Sequence, residues 1–155
     1  MFEQLLESIA QGLERLGIPY MVIGGQAVLV YGEPRLTRDI DVILGADPGR
    51  LGELLDWVRG RGWRVLVETP AEFVARTMVL PCLDPSTGIG VDLVFSFSFY
   101  EQQALKRARR VSMGKTEVCF ASLEDLIIHK ILAARPRDLE DVSSMLCKNR
   151  TLDLD

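Results

Sequence analysis

Asp39 and Asp41 sit one residue apart inside "DIDVILG", a run that otherwise has the composition of a buried strand. Successive side chains alternate faces in a strand, so the two acids point the same way while Ile40 and Val42 face the opposite side. Same-face neighbours lie ~7 Å apart, and at an effective dielectric of about 20 their repulsion is on the order of 2 kcal/mol. A divalent cation would quench that field. Two carboxylates on a rigid strand can hold magnesium, which keeps some of its waters and takes further ligands from a nucleotide's phosphates. Taken alone, an Asp-x-Asp pair reads as decoration of a solvent-facing or edge strand. The segment "GVDLVFS" adds Asp92 in the same setting, an acid flanked by Val91, Leu93, Val94 and Phe95. A third carboxylate beside the first two would complete a two-metal site or take the proton from an attacking hydroxyl. Without such neighbours Asp92 is an outward residue of an alternating strand.

The elements that must position these acids follow from hydrophobic periodicity. Leu5, Leu6, Ile9, Leu13 and Leu16 recur at helical spacing, and Gly17 stops that helix. "PYMVIGG" predicts a short buried strand, "GQAVLVYG" a short helix launched from it, and "DIDVILG" the second strand. "DPGRLGELLDWVRGRG" predicts a helix with Asp47 as N-cap and Pro48 at its first position. "WRVLVE" predicts a third strand, with a short helix near Ala71 to Arg76 after it. "MVLPCLD" and "GVDLVFS" flank the turn "PSTGIG" and predict an antiparallel hairpin. A helix over Tyr100 to Ala108, short strands near Val111 and Val118, and two closing helices, "SLEDLIIHKILAA" and "PRDLEDVSSMLCK", complete the chain. The expected fold class is α/β in the α+β sense: a small mixed sheet covered by helices, in one domain over residues 1–155.

Between the first strand and its helix stand Gly24 and Gly25. Missing side chains let a ligand's phosphates approach the backbone, and a helix N-terminus offers free N–H groups to anions. A tight strand-to-helix turn without ligand needs the same glycines. The order strand, Gly-Gly, short helix, loop and strand with Asp-x-Asp is more specific than either part.

Composition is that of an ordinary globular protein, with 48% hydrophobic and 26% charged residues, and the formal net charge of −4 argues against sequence-independent wrapping of long nucleic acid. Cys82, Cys119 and Cys147 are odd in number and lack paired spacing, which points to buried thiols in a reducing cytoplasm. The start Met1-Phe2-Glu3 opens into an amphipathic helix rather than a signal peptide, and the apolar run from Tyr20 to Tyr31 is too short to span a bilayer. A cytoplasmic protein without membrane attachment is expected.

The run "GGQAVLVYGEPRLTRDIDV" resembles the nucleotidyltransferase signature of the DNA polymerase β superfamily, in which Gly-Gly or Gly-Ser, a spacer and Asp-x-Asp or Asp-x-Glu follow one another. Thirteen residues separate Gly25 from Asp39. The pattern of Gly32, Arg35, Thr37, Asp39 and Asp41 is most similar to the AbiEii-like branch of toxin–antitoxin and abortive-infection nucleotidyltransferases. "SLEDLIIHKILAARPRDLEDV" resembles the same branch through its helix lysine and Arg-Asp-x-x-Asp. The resemblance implies a magnesium-dependent transfer of a nucleoside monophosphate from a nucleoside triphosphate, such as ATP, to an acceptor hydroxyl. Asp39, Asp41 and Asp92 would be the metal-binding and catalytic acids of a two-metal site. Gly24 and Gly25 would receive the triphosphate; Arg35, Thr37, Arg38 and Lys130 would lie near it, and Asp138 at the rim. The implied acceptors are a tRNA end, a side chain of a toxin or antitoxin partner protein, or an antibiotic hydroxyl. An inactive antitoxin or binding module on the same fold is the alternative, and its mark would be a lost carboxylate.

Several of these residues have simpler readings. Arg35 and Arg38 can neutralise Asp39 and Asp41 as well as contact phosphate. Lys130 suits the solvated side of an amphipathic helix, and Asp138 suits a first helical turn after Pro136. "KRARR", residues 106–110, can meet an RNA backbone or simply face water. His129 belongs to no catalytic set and reads as a helix-face residue.

Overall fold

The computed structural model describes residues 2–23, 39–96, 98–133 and 146. Helix α1 (Phe2–Leu16) leads into β1 (Tyr20–Ile23), and β2 (Asp39–Leu44) is followed by a 3₁₀ turn (Pro48–Arg50) and α2 (Leu51–Gly60). Then come β3 (Arg64–Val65), α3 (Pro70–Thr77), the hairpin β4 (Val79–Asp84) and β5 (Ile89–Phe95), and α4 (Phe99–Lys106). A second hairpin, β6 (Arg109–Met113) and β7 (Thr116–Phe120), precedes α5 (Leu123–Ala133). The strands form one seven-stranded mixed sheet in the order β3-β4-β5-β2-β1-β7-β6. Two neighbour pairs, β2 with β5 and β1 with β7, are parallel.

Burial alternates along the central strands as a half-covered sheet requires. Ile40, Val42 and Leu44 of β2, Val91 and Leu93 of β5 and Leu80 and Cys82 of β4 are fully buried and share one core with Leu5, Leu6, Ile9, Ala10 and Leu13 of α1. Each such large aliphatic side chain contributes about 1.5–3 kcal/mol through the area it removes from water. The opposite face is only half covered: Pro81, Leu83, Gly90, Asp92, Val94 and Asp41 are intermediate in exposure, and Asp39 is exposed. Helices α1 and α2 approach closely where Gly12 meets the Trp57 ring, a contact that leaves no room for a side chain at Gly12.

Local chemistry explains the element ends. Gly17 closes α1 at φ +69°, and the Asp47 carboxylate accepts a 2.7 Å bond from the Gly49 N–H at the entry to α2. The β4–β5 turn is tied by Asp84, which accepts from the Ser86 N–H and from the Ser86 and Thr87 hydroxyls, with Gly88 at φ +73°. The expected third strand, "WRVLVE", is shorter than its composition suggests. Leu66 N–H donates to the Pro81 carbonyl at 3.0 Å, but Pro81 has no N–H to return, and the ladder ends at Val65. The predicted helix over 25–32 lies outside the described residues, as does the last predicted helix, over 136–148, apart from residue 146, which is helical and exposed. Among the described residues no helix is long and apolar enough to cross a membrane. Cys82 is buried as expected, whereas Cys119, on a strand near the sheet's edge, is half-buried, and Cys147 lies outside the described residues.

Candidate active site

Asp39 opens β2 and Asp41 follows it on the same face. The parallel ladder sets Asp41 directly opposite Asp92, and Asp39 opposite Gly90, so carboxylates from two adjacent strands occupy one half-open face. Strand spacing keeps such partners about 5 Å apart at the backbone. Asp92 carries the electrostatic mark of this arrangement. Burial first, then the charges of Asp41 and Asp39, and finally a hydrogen bond shared with Asp41 raise its carboxyl from 3.8 to about 6. Asp92 also helps burial to push the thiol of Cys82, on the neighbouring strand, up to about 12.

The donor set suits a hard divalent cation: carboxylate oxygens only, on rigid strands, in a field that already repels a second negative charge. Among the described residues no three His, Cys, Asp or Glu side chains are drawn together as an all-protein metal cage. Magnesium sites that complete their shell with phosphate and water are open in this way.

Around the acids, β1 ends at Ile23 opposite Asp41, and the next residue in the chain is Gly24. Gly24, Gly25, Arg35, Thr37, Arg38 and Asp138 lie outside the described residues. Lys130 lies on α5, whose first turn follows β7, the parallel neighbour of β1; its side chain lies outside the described residues, as does that of His129.

The basic run 106–110 divides between the end of α4 and the start of β6. Within it Arg107 is structural. Its guanidinium grips Asp125 through two bonds, Nε to Oδ2 at 3.0 Å and Nη2 to Oδ1 at 2.8 Å. Asp125 is 2% exposed and also accepts from the Tyr100 hydroxyl at 2.9 Å and the Ser122 hydroxyl at 2.8 Å, while its N–H donates to Ser122 Oγ. Burial pulls the Asp125 carboxyl upward, but the bonds from Arg107, Ser122 and Tyr100 outweigh it and hold the group below its ordinary range. This reciprocal Ser122–Asp125 cap starts α5 and fastens it to α4. The signal for it was in "SLED", a serine three residues before an acid ahead of an apolar run. Gly90 was also missed; its signal is the glycine two positions before Asp92, hence on the same face.

Comparison with known proteins gives the family. Residues 1–155 match the family described as "Nucleotidyltransferase of unknown function (DUF6036)". The chain belongs to this family. No curated protein sequence is significantly similar to it. Among solved structures, an antigenic nucleotidyltransferase-like protein from Paracoccidioides brasiliensis is 21% identical with a TM-score of 0.64, over 94% of this chain and 75% of that one. The antibiotic-resistance factor ANT(2'')-Ia is 17% identical with a TM-score of 0.66, over 94% of this chain and 82% of its own. The lincosamide antibiotic adenylyltransferase LnuA, solved with lincomycin, is 14% identical with a TM-score of 0.63, over 91% and 94% of the two chains. At these identities the likeness is one of fold, and the mixed sheet of this DUF6036 member is the nucleotidyltransferase fold.

Proposed function

We propose that this protein is a magnesium-dependent nucleotidyltransferase that moves a nucleoside monophosphate from a nucleoside triphosphate to an acceptor hydroxyl in the cytoplasm. The observation that carries the reading is the register of β2 on β5, with Asp41 opposite Asp92 and Asp39 on the same face. Membership in a nucleotidyltransferase family supports it. Bound magnesium would neutralise phosphate charge and orient the α-phosphorus for in-line attack. Asp39 and Asp41 are its proposed ligands, with Asp92 as the third acid. Asp92, its carboxyl raised by burial and by its acidic neighbours, accepts the proton of the acceptor hydroxyl. Gly24 and Gly25 receive the triphosphate, Arg35, Thr37, Arg38 and Lys130 balance its charge, and Asp138 stands at the rim.

The AbiEii-like pattern of the sequence favours a tRNA end or a partner protein's side chain as acceptor, within a toxin–antitoxin pair. A fold shared with LnuA and with ANT(2'')-Ia, the latter also solved with adenylyl-2''-tobramycin, supports an antibiotic hydroxyl as the second reading. An inactive antitoxin module is disfavoured because all three acids are present. The test incubates the protein and magnesium with labelled nucleoside triphosphates and, separately, cell RNA, cell protein and antibiotics. We expect label transfer to one pool and at least about a hundredfold loss in Asp39→Ala. Transfer to none of the pools would overturn the enzymatic reading.

A further inference from the structure

Gly90 stands opposite Asp39 in the parallel ladder, on the face that carries the three acids. Glycine inside a central strand weakens it, since it packs nothing and loses the most backbone freedom. Gly90 is not among the glycines with positive φ, so its backbone conformation is open to any residue. What the position lacks is space. A methyl group built there would come 2.5 Å from Asp39 Oδ1 and 3.5 Å from Asp39 Cγ, while the next atom, the Cys82 carbonyl oxygen, would be 3.8 Å away. The last distance is an ordinary contact. The Asp39 carboxylate therefore occupies the room that a side chain at Gly90 would fill, leaning from β2 onto the strand that carries Asp92.

We propose that Gly90 is a positioning residue, whose missing side chain lets the Asp39 carboxylate lean onto β5 and so sets the convergence of the acids on a cation. This rests on the metal-binding reading of the site. The obstructed atom is the tip of a side chain with two rotatable bonds. The fold can accept a methyl at Gly90 by swinging Asp39 aside; the cation site cannot.

The test measures Mn²⁺ binding by titration calorimetry in the presence of a non-hydrolysable ATP analogue, and thermal unfolding without metal. The proteins are wild type, Gly90→Ala, Asp39→Ala and the double variant. Gly90→Ala is expected to melt within a few degrees of wild type yet bind Mn²⁺ about tenfold or more weakly, the loss typical of a disturbed ligand support. In the Asp39→Ala background the added methyl should neither weaken binding further nor lower melting, because no carboxylate remains to displace and the strand gains backbone order. If Gly90→Ala does not fold, the double variant should; a double variant that also fails to fold overturns the proposal. So do losses that simply add, or wild-type binding by Gly90→Ala while Asp39→Ala is impaired. Wild-type binding by Asp39→Ala itself would overturn the metal-binding reading of the site, and this inference with it.

Discussion

Replacing Asp92 with asparagine should stabilise the metal-free protein at neutral pH and leave it unchanged near pH 3. The amide of Asp92→Asn keeps the shape of the side chain and can donate to Asp41, but it removes a charge that is half-buried and faces two others. Two routes give the size of that penalty. Unit charges about 5 Å apart at an effective dielectric near 20 repel by about 3 kcal/mol. Raising a carboxyl from 3.8 to about 6 corresponds to about 3 kcal/mol as well. Asp92 is partly open to water, so solvent screening reduces the expected gain to about 1–2 kcal/mol. For a chain of this length that is a rise of about 3–6 °C in melting temperature.

The sign follows from proton linkage. Well below 3.8, near pH 3, the Asp92 carboxyl is protonated in both the folded and the unfolded chain, and the substitution changes nothing. Between about 4 and 6 the folded protein holds the proton that the unfolded chain has released, so wild-type stability falls as pH rises. Above about 6 both are ionised and the full penalty is present. Thermal unfolding in EDTA from pH 3 to 8, read by circular dichroism, measures the gap between the two proteins. Adding Mg²⁺ at pH 7.5 should narrow it, because a cation relieves the repulsion in wild type. A gap that is absent at pH 7.5, reversed, or equal at all pH values would refute the mutual field of the three acids.

Two further outcomes follow from the same geometry. Mn²⁺ with a non-hydrolysable nucleoside triphosphate should raise the melting temperature of wild type by several degrees, about 2.7 kcal/mol at a hundredfold excess over Kd. Asp39→Asn with Asp41→Asn should abolish that rise while leaving a folded protein. Arg107→Ala should destabilise by about 2 kcal/mol, since it strips two bonds from a buried Asp125 while Arg107 itself is half-exposed. Denaturant unfolding at pH 7 checks this, and an unchanged midpoint would show the pair to be idle.

Much of the fold was legible because its signals are local. Leu5, Leu6, Ile9 and Leu13 announce α1, Asp47 and Pro48 announce the entry to α2, and the alternation around Asp39 and Asp92 announces two half-covered strands. What stayed hidden depends on partners distant in the chain. "WRVLVE" has strand composition, yet its length was decided by a proline on the neighbouring strand. Arg107 looked like one more cation in a basic run until Asp125 was brought to it. Gly90 could be placed on the face of Asp92 by its spacing, but its meaning lies in the space taken by a carboxylate on β2. The sequence could say that three acids sit on alternating strands, but not which residue of β5 would stand beside Asp41.

That register is a consequence of the core. In a parallel pair, slipping one strand by a single residue turns its whole outward set inward. With β5 displaced by one, Asp92 would enter the layer now filled by Ile40, Val42 and Leu44, and Val91 and Leu93 would face the half-open side. Burying an unpaired carboxylate among aliphatic side chains is far less favourable than the screened repulsion of about 1–2 kcal/mol that the acids carry now. The antiparallel partner β4 adds to the constraint, since Leu80 and Cys82 pack on the same buried side opposite Leu93 and Val91. The aliphatic face of the sheet thus holds the carboxylates of the other face together against their own repulsion. No contact among the acids themselves has to supply that force.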